Sequence, residues 1–226
     1  MAIFEGDKLL QAIAHPAHEI TFVEELMNIH NPYLAFISAV RDVPEELTAL
    51  LKNKLQVIYL DHRMKLPFEN QYKSKETLGL DRAAGVAGAH FLFPNEHILV
   101  IDAGTCITFD ILTSEGVYLG GSISPGISMR FKALNKFTGR LPLIEDKRKI
   151  SLIGDTTEAS ILSGVYNGIL GEVELQVRLY KEKFGNVKVV ITGGDLDFFE
   201  SNLKLEIFAQ PNLVLYGLNK ILDYNE

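Results

Sequence analysis

The chain has 226 residues, enough for one large domain or two of about 110 residues each, and either can bury a core. Hydrophobic residues make up 47% and charged residues 23%, a globular balance. The net charge of −7 comes without a basic cluster, which excludes nucleic acid as the main partner, because phosphate neutralisation needs gathered Lys and Arg. Small acidic ligands stay open, since a local pocket can be positive on a negative protein. The single cysteine, Cys106, excludes an intrachain disulfide and a cysteine-rich zinc site, and it suits a reducing cytoplasm. No apolar run reaches the roughly 18 residues of a membrane span. The N-terminal MAIFEGDKLL lacks the basic stretch of a signal peptide.

In chain order, Ala2-Ile3-Phe4 and Leu9 to Ile13 flank the turn Glu5-Gly6-Asp7-Lys8 and predict a strand, a tight turn and a strand. His18 to Met27 predicts a helix, with Thr21 as N-cap and Glu24 completing a capping box. The apolar run Leu34 to Val40 predicts a strand covered on both faces. Pro44 to Lys54 predicts a helix with Leu47, Leu50 and Leu51 on one face, and Gln56 to Leu60 a further strand. This alternation indicates an α/β layer.

Asn70 to Thr77 is polar and loop-like and carries Tyr72. Thr77 is positioned to cap a helix from Leu78 to His90, crowded with Ala83, Ala84, Gly85, Ala87, Gly88 and Ala89. Asp81 and Arg82 fall near its start. Either Asp81 serves the helix dipole and Arg82 is solvated, or two charges beside small residues mark a crowded, shaped site. His97 to Asp102 predicts a buried strand ending in an acid and a Gly104-Thr105 turn. Thr108 to Leu112 and Val117 to Leu119 continue the layer. An acid at a strand end before a glycine turn is a common seat for a phosphate or cation. Gly104 and the Thr105 hydroxyl could bond phosphate oxygens and Asp102 could hold a cation. The alternative is an ordinary hairpin whose Asp caps its own turn.

Pro125-Gly126 leads into a helix from Ile127 to Phe137, followed by a charged loop, Glu145 to Lys149. Asp155-Thr156-Thr157 caps a long helix, Glu158 to Phe184. Its Gly164, Gly168 and Gly171 share one face, which predicts a close helix contact, within the chain or across a dimer seam, because each glycine costs about 1 kcal/mol relative to Ala. Val187 to Thr192 predicts a buried strand ending in Gly193-Gly194-Asp195, which is either a nucleotide-facing loop or a plain strand-to-helix turn. Asn212 to Asp223 predicts a terminal amphipathic helix. The six histidines show no zinc-site spacing, and neither a nucleophile elbow nor a Walker P-loop occurs. Cys106, between strand residues, reads as a buried small hydrophobe.

Taken in order, N-Q-Y-x4-T-L-G-L-D-R, D-A-G-T-C-I-T-F-D, G-x-Y-L-G-G-S-I-S-P-G, T-G-R-L-P, I-G-D-T-T-E-A-S-I-L-S-G and T-G-G-D resemble the type III pantothenate kinases over nearly the whole chain. The resemblance implies an α/β fold of two ribonuclease-H-like, actin-like domains, residues 1–96 and 97–226, with the site between them. It also implies transfer of the ATP γ-phosphate to pantothenate at the start of coenzyme A biosynthesis, a requirement for potassium or ammonium, Mg2+ with ATP, and a cytoplasmic homodimer. Asp81 matches the catalytic base. Gly79, Leu80, Asp81 and Arg82 match the pantothenate pocket and Tyr72 a substrate contact. Asp102 matches the monovalent-cation ligand and Thr105, with Gly104, the ATP-phosphate contact. Gly193 and Gly194 match the nucleotide-facing turn, and Thr157 a threonine that reaches the neighbouring subunit's substrate. Positioning and electrostatics dominate phosphoryl transfer, and these residue types suit both.

Two departures accompany the resemblance. The family pattern opens on a strand and a D-x-G-N-T phosphate turn, and this sequence starts after it, which is expected of a misassigned start or a shortened chain. That reading predicts a missing first strand, weak ATP binding and little kinase activity with the substrate pocket kept. Lys75 stands where the family usually has proline, which leaves the shape of the loop at Tyr72 open. Two other readings remain: another small-molecule kinase of the same superfold, or a non-catalytic accessory protein.

Overall fold

The computed structural model describes residues 1–14, 19–39, 42–145 and 150–226. The expectations for His18, Val40 and most of the charged loop at Glu145–Lys149 fall outside these residues. The chain divides into two compact units, 1–91 with 212–226, and 92–211. The break therefore falls at 91/92 rather than 96/97, and the C-terminal helix belongs to the first unit, where the sequence reading had placed it in the second.

The first unit opens with an antiparallel pair, β1 (Ala2–Glu5) and β2 (Lys8–Ala12). Helix α1 (Ile20–His30), β3 (Leu34–Ile37), α2 (Glu45–Lys54) and β4 (Gln56–Tyr59) follow, with β3 and β4 parallel. Val23 and Met27 of α1 and Leu47 and Leu51 of α2 form a small core over Ala35, Ile37 and Val57 of these strands. The two strand pairs form separate sheets. β3 is shorter than its apolar run suggested and only partly buried. Helix α1 begins before Thr21, so Glu19 is its N-cap residue and no side chain caps it; the expected box lies two residues too late. After β5 (Glu69–Asn70) comes a short 3₁₀ turn, Lys75–Thr77, and then α3 (Leu80–Leu92). Thr77 Oγ1 donates to the Ser74 carbonyl, 3.0 Å, and so serves that turn rather than capping α3.

The second unit is built on β6 (His97–Ala103), β7 (Cys106–Leu112) and β8 (Val117–Pro125). Helices α4 (Ile127–Phe137) and α5 (Thr157–Phe184), then β9 (Val187–Thr192), α6 (Leu196–Asn202) and β10 (Phe208–Ala209) complete it. Its strands run in the order β8-β7-β6-β9-β10, with β6, β9 and β10 parallel and β7 antiparallel to both neighbours. That is the ribonuclease-H-like order. Strand β8 extends through Pro125, well past Leu119: it passes a bulge opposite Ile111/Leu112, where Gly120 takes a φ of 103°, and continues with Gly121 packed on the Phe109 backbone. Helix α6 follows the Gly193-Gly194 turn, in line with the strand-to-helix alternative for it, whereas β10 has no counterpart among the expected elements.

One face of this sheet, with Leu99, Ile101, Ile107 and Phe109, packs on Ile161, Val165, Tyr166, Ile169 and Val173 of α5. Phe131, Tyr166, Phe198 and Phe199 add a chain of ring contacts with centroids 5.2–5.6 Å apart. Burying an aromatic or aliphatic side chain stabilises by roughly 1.5–3 kcal/mol, so this face contributes strongly to the unit's stability. Helix α5 is capped as expected: Thr156 Oγ1 accepts from the Ala159 amide, 3.1 Å. Gly164, Gly168 and Gly171 of α5 would bring a built Cβ within 4 Å of no other described atom, so of the two alternatives for this face the intrachain contact is not found among the described residues.

The chain then returns to the first unit with α7 (Leu213–Asp223). A Cβ on Gly217 would run into the Ala84 carbonyl of α3, and one on Gly88 into the Leu213 carbonyl. The two helices therefore touch backbone to backbone, which only glycine permits. Lys220 pairs with Asp7 and Asp223 and lies over the Phe91 ring, while Asn219 Nδ2 donates to Gly6 O, 3.0 Å.

Candidate active site

Three groups of expected site residues stand at element ends, two in the second unit and one in the first. In the first unit, α3 starts at Leu80 and places Asp81 in its opening turn, at the positive end of the helix dipole. The Asp81 side chain is exposed and accepts the Arg82 amide on Oδ1, 2.8 Å. A Cβ at Gly79 would collide with that same oxygen, so the glycine makes room for the carboxylate to fold back. Arg82 is not solvated: it is 8% exposed. Its guanidinium lies 5.6 Å from the centre of the Tyr72 ring. Tyr72 is held in turn by its amide, which donates to Asn70 Oδ1 at 2.9 Å. Tyr72, Gly79, Asp81 and Arg82 are thus brought together. Lys75 does not extend the loop; it opens the 3₁₀ turn that carries the chain to Gly79.

In the second unit, β6 and β7 are joined through Gly104-Thr105, with Gly104 N donating to Cys106 O, 2.9 Å. Three neighbours brace this turn. Gly126 N donates to Thr105 O at 3.0 Å, and Asp195 N donates to Ala103 O at 2.9 Å. Gly193, with φ of 100°, packs on Ala103 O and Asp102 Oδ1, where a side chain would be both strained and blocked. Asp102, Gly104, Thr105 and Gly193 therefore form one group, with exposed Gly194 beside it. Cys106 is only partly buried, because it sits at the turn's mouth rather than in the sheet interior.

Asp102 stands in register between Thr108 on β7 and Thr192 on β9, so the three side chains leave one face of the sheet. Thr108 Oγ1 is buried and has no hydrogen-bond partner among the described residues. A carboxylate beside a buried, unused hydroxyl is a donor set that fits a hard, oxygen-seeking cation. Among the described residues no three His, Cys, Asp or Glu side chains gather to hold a metal by themselves.

Thr157 lies at the first turn of α5. It lines an open groove of about 1010 Å³ with Arg130, Asp155, Thr156 and Ser160. Arg130 donates to Pro125 O, 2.8 Å, and to Ser124 Oγ, 3.1 Å, and pairs with Glu172. This arginine was not singled out in the sequence, although it follows the S-I-S-P-G turn by one helical turn.

Residues 4–179 match the family model of type III pantothenate kinase. The chain belongs to this family. Among curated type III pantothenate kinases, that of Christiangramia forsetii is 42% identical, over 100% of this chain and 93% of its own length. That of Bacteroides fragilis is also 42% identical at the same coverage. The type III pantothenate kinase of Porphyromonas gingivalis is 48% identical over 71% of this chain and 66% of its own. A solved structure from Campylobacter jejuni, described as a Baf family transcriptional activator, is 26% identical with a TM-score of 0.58, covering 90% of this chain and 88% of that one.

Proposed function

We propose that this protein transfers the γ-phosphoryl group of ATP to the primary hydroxyl of pantothenate, giving 4'-phosphopantothenate for coenzyme A biosynthesis. The observation that carries the reading is the Asp81 carboxylate. It is exposed, held through Oδ1 by the Arg82 amide, and no hydrogen bond reaches its Oδ2 among the described residues. In the proposed reaction Asp81 accepts the proton of the attacking hydroxyl. An alcohol is a weak nucleophile, and such an acceptor contributes about 10²–10⁴-fold in rate. Tyr72, Gly79, Leu80 and Arg82 orient pantothenate, with the Arg82 fork on its carboxylate or on the transferring phosphoryl group.

Gly104, Thr105, Gly193 and Gly194 are assigned to the nucleotide, through backbone N–H groups and one hydroxyl suited to phosphate oxygens. Asp102 is assigned to a potassium or ammonium ion, which supplies positive charge near the phosphates; Mg2+ comes with ATP. We place the working protein in the cytoplasm as a homodimer, in which Thr157 serves the neighbouring site. Two features support that seam. The glycine face of α5 is open, and Leu152 and Ile153 are 81% and 79% exposed, although Ser163 Oγ pins the Leu152 carbonyl at 2.8 Å. A loop with a fixed backbone and outward apolar side chains is suited to a partner.

The test is a coupled assay of Asp81→Asn, which keeps the oxygen that accepts the Arg82 amide. Turnover is expected to fall about 10²–10⁴-fold, while calorimetric titration still detects pantothenate. Wild-type turnover in that variant would sink the assignment.

A further inference from the structure

Thr108 has a hydroxyl that the fold does not use. Its Oγ1 is fully buried and unpartnered among the described residues, although the strand around it is satisfied by the ladders of β6 and β8. Leaving such a group without a partner costs about 1–3 kcal/mol, and most buried hydroxyls avoid it. Thr108 is directly opposite Asp102, and directly opposed residues have Cβ atoms about 4.5–5.5 Å apart on one face. Thr192 flanks Asp102 from the other side and is 2% exposed. The row Thr108–Asp102–Thr192 thus offers a carboxylate between two side chains that each carry a neutral oxygen. Gly193 closes its end by packing on Asp102 Oδ1.

We infer that Thr108 is a second protein ligand of the monovalent cation assigned to Asp102. This deepens the cation assignment made above and rests on it. Neutral oxygens beside one carboxylate suit a large monovalent ion, because charge is balanced by a single acid and the remaining shell needs only dipoles. The cation also explains why the hydroxyl is kept: the same strand position with valine would pack equally well and leave nothing unsatisfied.

The experiment is thermal unfolding of the full protein titrated with potassium chloride, at constant ionic strength with choline chloride as the replacement and ADP at a fixed concentration. A ligand of the folded state raises the midpoint by mass action, so the titration reads the cation's affinity without turnover. The wild type is expected to respond, and Asp102→Asn to lose the response. Thr108→Val is expected to need at least about tenfold more potassium for half of the effect, while Thr108→Ser stays near the wild type. In choline alone, Thr108→Val should unfold no earlier than the wild type, since it deletes an unsatisfied group rather than a used one. A potassium response in Thr108→Val equal to the wild type, with Asp102→Asn unresponsive, would overturn the role of Thr108 and leave the cation site standing. No response in the wild type would overturn both.

Discussion

Arg82 is a charged residue in a position where charges are seldom tolerated without partners, 8% exposed at the start of an alanine-rich helix. The Tyr72 ring at 5.6 Å gives its guanidinium a cation–π neighbour, a contact of about 0.5–2 kcal/mol depending on desolvation. Lysine would keep the charge and lose the planar fork and the ring contact. In Arg82→Lys the KM for pantothenate is therefore expected to rise about tenfold, with a smaller change in kcat, as steady-state kinetics can resolve. An unchanged KM would remove Arg82 from the substrate pocket. The residues of this group were readable in sequence because they are contiguous: Gly79 to Arg82 is a single turn, and Tyr72 is close before it. Arg82's burial was not readable, since a charge in a first helical turn is usually solvated. Thr108 was hidden for a related reason. A threonine in a strand looks like ordinary strand chemistry until its register with Asp102 is known.

Among the elements, those with the plainest patterns fell where expected. The buried strands β6 and β9 and the capped helix α5 carry their signals locally. Elements defined by a distant partner did not. β10 is two residues long and exists only through its pairing with β9. Likewise, α7 was assigned to the wrong unit because its partner, α3, lies more than a hundred residues earlier, although a glycine in the middle of an amphipathic helix already hinted at a close neighbour. The α3–α7 contact makes a sharp prediction. Gly217→Ala would improve intrinsic helix propensity by about 1 kcal/mol, yet it drives a methyl group into the Ala84 carbonyl. The overpacking term, typically about 1–3 kcal/mol, acts against a backbone atom that cannot swing away. Urea unfolding should show net destabilisation, whereas Gly171→Ala, on the open face of α5, should be neutral or stabilising as a monomer control.

For the whole molecule, the two units share a plan, antiparallel strands first and then helices alternating with parallel strands, to which the second adds a third antiparallel strand and an extra helix. In the second unit β6 joins both halves of the sheet; in the first, the pairs β1–β2 and β3–β4 remain separate. The duplication was legible as the family resemblance, whereas the outward surface was not, because exposed apolar side chains look like core in a linear pattern. Phe137, Leu143, Leu152 and Ile153 are 58–81% exposed on the second unit. Light scattering after size exclusion should give a dimer mass for the wild type and a monomer for Leu152→Asp with Ile153→Asp; a monomeric wild type at tens of micromolar would remove the proposed seam. The return of α7 to α3 has a consequence for how the protein is made. Translation runs at about 5–20 residues per second, so residues 92–211 emerge over several seconds while the face of α3 with Ala84 and Gly88 waits without its cover. The second unit, contiguous in sequence, can finish folding on the ribosome during that interval. The first unit, which carries Asp81, can close only after α7 has been made, which makes it the half of the enzyme that nascent-chain chaperones have reason to guard.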